Sequence, residues 1–285
     1  MLKKLVYLAL LLLSVNSLAN EKKPLKETTV FNETFSWQGQ LGFSLSKSTF
    51  IIDGIEEADL GNNLNISLLF DVYYKGFFIQ SNHRRADSLK LGAELGYQLI
   101  VEDDWELDII HKSYFGGFNP EDIIARADKE IPILAGLKQR DSANGLGLRY
   151  SRYYQESILS VDVAAITPFS DDSASGWLIN AFYSHIVPYR NWDIYLNTSV
   201  TYYSEDVIDY YTGVDASEVS AIRQEYTGEH ALRAQFEVFA QRPISRSWTF
   251  NAGLSHSFYT ANIKESPIVD RQGASQIMVG VLYVF

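Results

Sequence analysis

The sequence predicts an all-β protein: a transmembrane, antiparallel, up-and-down β-barrel of about 12 strands. Three observations lead to this fold class. Apolar and polar residues alternate in long runs, short connections alternate with long ones, and the chain ends on an apolar strand with an aromatic terminus. Runs of roughly ten residues fit a tilted membrane-spanning strand. Because lipid tolerates no open sheet edge, such strands must close into a barrel.

The first 19 residues form a predicted signal peptide, cleaved between Ala19 and Asn20. Lys3 and Lys4 supply its positive start, and 5–13 supply an apolar core too short to span a bilayer. The alternative is an uncleaved membrane anchor. Cleavage implies export, and we expect the mature chain in the cell outer membrane.

The composition excludes several kinds of partner and bond. The chain contains no cysteine, so it has neither disulfides nor a lipidated amino-terminal cysteine. Its formal net charge is −11, and loss of Lys3 and Lys4 with the acid-free signal peptide moves it to −13. Such acidity argues against nucleic acid as a partner. The polar segment 20–34 shows no period and is predicted to be a flexible periplasmic lead.

Residues 35–285 contain the predicted barrel. Apolar residues recur at every second position, which is typical of strands with one face in lipid. The predicted strands lie near 35–46, 63–74, 76–84, 88–101, 104–114, 145–153, 156–167, 175–187, 191–203, 230–241, 246–259 and 276–285.

The connections support this strand count independently. Those after even strands are short, from the single residue Lys75 to the segment 242–245, whereas those after odd strands are mostly longer, as at 115–144 and 204–229. Barrels of this class have short periplasmic turns, longer extracellular loops and an even number of strands. Aromatic residues also cluster at the strand ends, as expected for girdles at the two membrane interfaces.

The last strand carries two further predictions. Its apolar face should contact lipid and serve as the recognition signal for the barrel-assembly machinery. This face consists of Ile277, Val279, Val281, Tyr283 and Phe285. The opposite face, with Met278, Leu282 and Val284, is more apolar than a water-filled lumen requires, and this argues against an open pore.

The lumen face mixes charges of both signs. The predicted lumen residues with charge are Lys90, Glu94, Arg149, Asp162, Asp193, Arg233 and Glu237. A barrel of about twelve strands is narrow enough for side chains to fill much of its bore. The mixture therefore favours a salt-bridged interior over a selectivity filter of one sign.

No catalytic or metal-binding motif is evident. None of the five histidines has a metal-ligand spacing. His256 lies between Ser255 and Ser257, but adjacent strand residues face opposite sides, so only a serine on a neighbouring strand could contact it. We therefore expect no enzymatic activity and no cofactor, and interpret His256 as an interfacial or lumen-edge residue.

The long loops carry acidic clusters and one predicted helix. The clusters are Glu56, Glu57 and Asp59; Asp171 and Asp172; and Glu205, Asp206 and Asp209. They could hold divalent ions that bridge lipopolysaccharide, although solvated loop charge is the simpler interpretation. Asn119 and Pro120 predict a helix start, and Ile123, Ile124 and Ala127 give it an apolar side. This helix either plugs the barrel mouth or packs on loop residues at the surface.

Three short segments carry a family resemblance. The most specific is Ser266, Pro267, Ile268, Val269 and Asp270, followed by the ending Tyr283-Val284-Phe285. Supporting segments are 137–140, which leads into the glycine-rich 145–148, and 210–214. On these segments the mature chain resembles the MltA-interacting protein/OmpV family of outer-membrane proteins.

The resemblance implies a barrel of scaffolding type that links murein-synthesising and murein-cleaving enzymes. Its implied partners are a lytic transglycosylase and a bifunctional penicillin-binding protein, with outer-membrane lipid and lipopolysaccharide around the barrel. The family implies no catalytic residues. Three alternatives remain: a small-solute channel, a surface adhesin, and a lipid-modifying enzyme with His256 as its candidate residue.

Overall fold

The computed structural model describes residues 35–55, 64–81, 84–85, 93–127, 130–167 and 173–285. The predicted signal peptide, its cleavage site at Ala19 and Asn20, and the lead 20–34 lie outside the described residues. Within the described ranges, the helices are all too short or too polar to cross a membrane.

Twelve antiparallel strands form a closed barrel in which each strand pairs with its neighbours in sequence. The pairing of the last strand with the first, Gln40 with Val284 through Ser48 with Gln276, closes the sheet. The strands are β1 Ser36–Ser48, β2 Leu64–Tyr74, β3 Phe77–Ser81, β4 Ala93–Val101, β5 Trp105–Phe115, β6 Ala143–Tyr153, β7 Ser157–Ile166, β8 Gly176–Tyr189, β9 Trp192–Tyr203, β10 Ala231–Pro243, β11 Trp248–Tyr259 and β12 Gly273–Val284. The predicted fold class and strand count are confirmed.

The connections give the barrel two different ends. At the short-turn end, β2 and β3 are joined by Lys75 and Gly76, whose φ angles of 49° and 83° suit a tight hairpin. At the long-loop end lie the helices α1 Pro120–Arg126 and α2 Glu205–Thr212, with 3₁₀ turns at Ala216–Glu218 and Ala261–Glu265.

The side chains divide between lipid and lumen as the alternation predicts. Leu95 and Leu196 on the outer face are 49% and 43% exposed. On β12, Ile277 is 58% exposed, whereas Met278 and Leu282 on the other face are buried. The apolar second face of β12 therefore lies inside the lumen.

One strand differs clearly from its prediction. β3 was expected over 76–84, but it ends at Ser81, whose amide donates to Asp71 Oδ1 at 2.9 Å. Arg84 and Arg85 then lie inside the lumen and not in the sheet, since both line its interior cavity. The sequence analysis therefore predicted this strand but placed its end three residues too late.

Candidate functional site

An ion network spans one wall of the lumen, with Arg149 at its centre. Arg149 Nε donates to Asp162 Oδ1 at 2.8 Å, and its Nη2 donates to Glu94 Oε2 at 2.7 Å. Lys112 Nζ lies 2.6 Å from Asp162 Oδ2. Four strands, β4 to β7, contribute one group each. The predicted salt-bridged interior is confirmed for these residues, and Lys112 is a member that the sequence pattern did not identify.

The other predicted lumen charges have separate positions. Glu237 accepts a hydrogen bond of 2.6 Å from Asn197, and Arg233 donates to Ser257 at 3.1 Å. Asp193 is exposed near the short-turn end. Lys90 lies outside the described residues.

A polar chamber of about 720 Å³ extends from the ion network to the short-turn end. It reaches the rim at Ser36 and Lys75, both exposed. A hydrogen-bond relay forms part of its wall: Tyr73 donates to Gln80 at 2.7 Å, and Gln80 donates to Glu94 at 2.5 Å. The polar groups of this wall are thus held in place by one another.

Two arginines lie side by side in the lining of this chamber. The guanidinium of Arg84 lies over the Tyr195 ring, 5.7 Å from its centroid, and that of Arg85 lies over Phe182 at 5.1 Å. Asn197 Nδ2 donates to the Arg84 carbonyl oxygen at 2.6 Å, which fixes the backbone across the lumen.

An apolar cluster narrows the lumen beyond the chamber. It consists of Leu69, Phe239, Met278 and Leu282. On β12, Leu282 lines the polar chamber and Gln276 lines a second cavity of about 400 Å³, with Met278 between them in the strand. The apolar face of β12 therefore separates the polar chamber from the second cavity.

The long loops fold together over the long-loop end, and we call this assembly the dome: residues 49–55, 116–127, 130–142, 213–230 and 260–272. Its apolar core includes Leu134, Val214, Ile263 and Ile268, all nearly or fully buried. In α1, the side chain of Asn119 accepts from the amides of Glu121 and Asp122, as the predicted cap requires. The apolar side of α1 packs on this loop core, so the surface-helix alternative is the correct one.

The helix that enters the barrel mouth is α2. Val207, Ile208 and Tyr211 are buried against lumen-facing residues at the ends of β6 to β9, including Leu178 and Tyr203. Sequence reasoning placed 205–209 among the acidic loop clusters and missed this helix. Its apolar residues are spaced at i, i+1 and i+4, and this spacing was the sequence signal that could have predicted the helix.

The three family segments meet within the dome. Ser266 Oγ donates to the Thr212 carbonyl oxygen at 2.6 Å, and Arg140 donates to the Gly213 carbonyl oxygen at 3.4 Å. Ile268 is fully buried, and the bridge between Ile52 and Val269 ties the first and last long loops together. These segments therefore hold α2 and the dome in place.

The buried carboxylate of Glu218 holds two of these loops together, and we call its contacts the Glu218 lock. Glu218 accepts hydrogen bonds from Arg140 at 2.9 Å and from the amides of Lys138 and Asp215 at 2.8 and 3.0 Å. Burial would raise the pKa of Glu218, but these hydrogen bonds outweigh burial and hold the pKa below its ordinary value. Arg223, itself buried, donates to the carbonyl oxygens of Glu218 and Ala135.

His256 faces away from the lumen, and its contact lies on the neighbouring strand. Its Nδ1 is 2.6 Å from Ser275 Oγ, whereas Ser255 and Ser257 are buried on the lumen face. Its ring also packs on Phe258. Among the described residues, no carboxylate contacts His256.

The acidic loop clusters form no metal site in the described part of the chain. No group of three or more candidate ligands there is arranged to hold an ion. Asp209 instead accepts from the Gly228 amide at 2.6 Å and so orders the dome. Glu56, Glu57, Asp59, Asp171 and Asp172 lie outside the described residues.

Comparison with known proteins gives the chain a family and a set of barrel relatives. It is 26% identical over 161 residues to the "Putative outer membrane protein YiaT" of Escherichia coli O157:H7, and over 160 residues to that of strain K12. These alignments cover 56% and 55% of this chain and 64% and 63% of the relatives, which is less than two thirds of their length.

Solved structures with a similar chain course are outer-membrane barrels. The DcaP channel of Acinetobacter baumannii is 8% identical, with a TM-score of 0.42 over 93% of this chain and 100% of that one. The NanC porin is 8% identical, with a TM-score of 0.39 over 85% and 98%. Likeness at this level has no bearing on what this chain transports or binds.

The family described as "MltA-interacting protein MipA" matches residues 52–285, a range that contains eleven of the twelve strands and all three family segments. The chain belongs to this family of outer-membrane barrels.

Proposed function

We propose that this protein is a non-enzymatic docking barrel, which holds a periplasmic murein-cleaving enzyme at the outer membrane. The observation that carries the proposal is the difference between the two barrel ends. The dome and α2 fill the long-loop end, whereas the polar chamber reaches the rim at the short-turn end. In barrels of this class the short turns face the periplasm.

The description of the family, "MltA-interacting protein MipA", supports the choice of partner. The family resemblance implies that this partner is a lytic transglycosylase. A bifunctional penicillin-binding protein is the second partner that we propose, through the same rim. His256 has a serine but no described carboxylate around it, which supports a role without catalysis.

Co-purification tests this function. A tagged barrel is extracted from cross-linked envelopes in mild detergent, and an unrelated tagged barrel of similar size serves as the control. We expect an MltA-type transglycosylase with this barrel and not with the control. Recovery of no murein enzyme would contradict the docking function.

A small-solute channel is the second candidate, because cavities of about 720 and 400 Å³ lie on either side of the apolar cluster of the lumen. Recordings in planar bilayers separate the two functions. The docking barrel should show no discrete conductance steps, whereas the channel should show them.

A further inference from the structure

The lipid face carries a row of aromatic and cationic side chains at the short-turn end of β8 to β11. Tyr189 pairs with Trp192 across the β8–β9 turn, and Arg242 on β10 pairs with Phe250 on β11. The rings of Trp192 and Phe250 lie edge to face, with their centroids 6.0 Å apart. Aromatic residues at the strand ends of such barrels lie at the level of the lipid headgroups. The row therefore lies where the headgroups of the periplasmic leaflet are found.

Two arginines at this level are held by aromatic rings. The guanidinium of Arg242 lies over the Trp192 ring, 5.5 Å from its centroid, and that of Arg190 lies over the Tyr189 ring at 5.3 Å. Both arginines are exposed. A guanidinium that contacts a ring with its face keeps the N–H groups at its edge available, and their geometry matches the oxygens of a phosphate.

Neither arginine is paired with a carboxylate in the described part of the chain. Arg152, which faces lipid at the same barrel end, donates to Asp104 at 2.7 Å. Arg190 and Arg242 have no such ion pair with any described residue. Their positive charges are therefore available to a ligand outside the barrel wall.

The acidic groups around this surface do not face it. Asp193 pairs with Gln241, which lines the chamber, so Asp193 belongs to the lumen side of β9. Glu156 lies in the turn between β6 and β7, on the far side of β8, and the carboxylate of Phe285 follows β12, two strands from Arg242. The lipid-facing residues of β8 to β11 include no Asp or Glu. The lipid face of these strands therefore presents cationic side chains and no anionic one.

Small side chains follow on the same face, one step toward the membrane centre. Ala240 pairs with Ala252, and the two lie between Ile194 on β9 and Val279 on β12. Adjacent alanines between larger residues leave a shallow groove on the lipid face, which an acyl chain can fill. The groove begins at Arg242, two residues from Ala240 on the same face. The arginines and the groove thus match the two parts of a phospholipid.

We propose that this surface binds an anionic phospholipid of the periplasmic leaflet. Its phosphate contacts Arg190 and Arg242, and one acyl chain lies along Ala240 and Ala252. A zwitterionic headgroup also has a positive group, for which this face offers no carboxylate, so the anionic lipid is preferred. The site does not depend on the docking function, because it requires only the outer wall of the barrel.

Native mass spectrometry of the full-length protein in detergent tests the proposal with two lipids that have the same acyl chains. Dioleoylphosphatidylglycerol is anionic, and dioleoylphosphatidylcholine is zwitterionic. We expect the anionic lipid to bind about tenfold or more tightly, because each basic side chain attracts the anionic headgroup.

Two variants locate the site. Arg190→Asn combined with Arg242→Gln should weaken binding of the anionic lipid by about tenfold or more. Asparagine is chosen at position 190 because it tolerates the φ of 56° that the turn requires there. Arg152→Gln, at a lipid-facing arginine that already has a carboxylate partner, should leave binding unchanged. Heat-dependent gel mobility shows whether each barrel is folded.

Three results would overturn the proposal: equal binding of the two lipids, unchanged binding of the anionic lipid in the double variant, or equal weakening by the control variant. If the double variant keeps its lipid but no longer co-purifies a murein enzyme, the arginines contact a protein partner instead. If the double variant does not fold, the comparison of lipids on the unaltered protein still decides. Co-purification with the unaltered barrel tests the docking function alone.

Discussion

The hydroxyl of Ser266 donates a hydrogen bond of 2.6 Å to the backbone oxygen of Thr212, and both residues are almost fully buried. They lie 54 residues apart, in the last long loop and at the end of α2. Thr212 also donates its own hydroxyl to the Ile208 carbonyl oxygen at 2.8 Å. Two segments that identify the family are thus joined at the point where α2 leaves the barrel mouth.

Ser266→Ala should loosen α2 from the dome. The substitution leaves the Thr212 carbonyl oxygen buried without this donor, which costs about 1–3 kcal/mol. We expect faster proteolysis in 204–230 and a lower urea midpoint. Ser217→Ala, the same change at an exposed position of the loop 204–230, should alter neither measurement.

Arg140→Met should destabilise the dome more than Lys138→Met. Arg140 pairs with Glu218 in the interior, whereas Lys138 pairs with Asp215 at the surface. Loss of one partner of a buried pair costs about 3–5 kcal/mol, and an exposed pair contributes about 0–1 kcal/mol. Urea denaturation that finds equal effects would show that the Glu218 lock contributes little.

The Glu218 lock should fail in acid. Its pKa in the folded protein lies below the ordinary value of 4.5, so its contribution to stability is complete above that value. The contribution is lost as the pH falls through the lowered pKa. Hydrogen exchange at the Lys138 and Asp215 amides, corrected for intrinsic rates, should accelerate there.

Glu218→Gln provides the control for this pH dependence. The amide has no charge to lose in this range, so exchange at the same two positions should be faster at neutral pH and should not change with acidification. A wild-type protein whose exchange is also flat in acid would contradict the role of Glu218.

A charge on the lipid face should be costly at mid-membrane. Leu196→Arg should lower the free energy of unfolding by about 2–4 kcal/mol, and Ile244→Arg at an exposed short turn should cost about 0–1 kcal/mol. Unfolding titrations in lipid vesicles measure both. Unchanged stability in Leu196→Arg would contradict the assignment of faces.

Experiments can distinguish the predicted role of β12 as an assembly signal from a role in the packing of the barrel. Phe285→Ala should reduce the amount of folded barrel in cells, because it alters the ending that we propose the assembly machinery recognises. Phe35→Ala, at a comparably exposed aromatic residue of the same barrel end, should not. Refolding of both variants into detergent should be unaffected; a parallel loss there would indicate a packing role instead.

The period of the sequence was sufficient to predict the barrel, its strand count and the side chains on each face. It also placed Glu94, Arg149 and Asp162 in the lumen, because alternation assigns each residue to lumen or lipid. It did not reveal that Arg84 and Arg85 enter the lumen, because alternation assigns positions only to residues within a strand, and both follow the end of β3.

Contacts between distant loops were also beyond the sequence pattern. Residues 205–212 begin with acidic residues, and their short apolar side becomes buried only because it packs against Leu178 and Tyr203. Ser266 donates to the carbonyl oxygen of Thr212, and Arg140 donates to that of Gly213. Both contacts join segments that are far apart in the sequence, so neither segment alone predicts them.

Site-specific photo-crosslinking tests the docking function most directly. A photoreactive amino acid replaces Gln155 on a short turn in one variant and Ile222 on the dome in another, and both positions are exposed. The account predicts that a periplasmic murein enzyme is captured from position 155 and not from position 222. Capture from 222 alone, or from neither position, would contradict it.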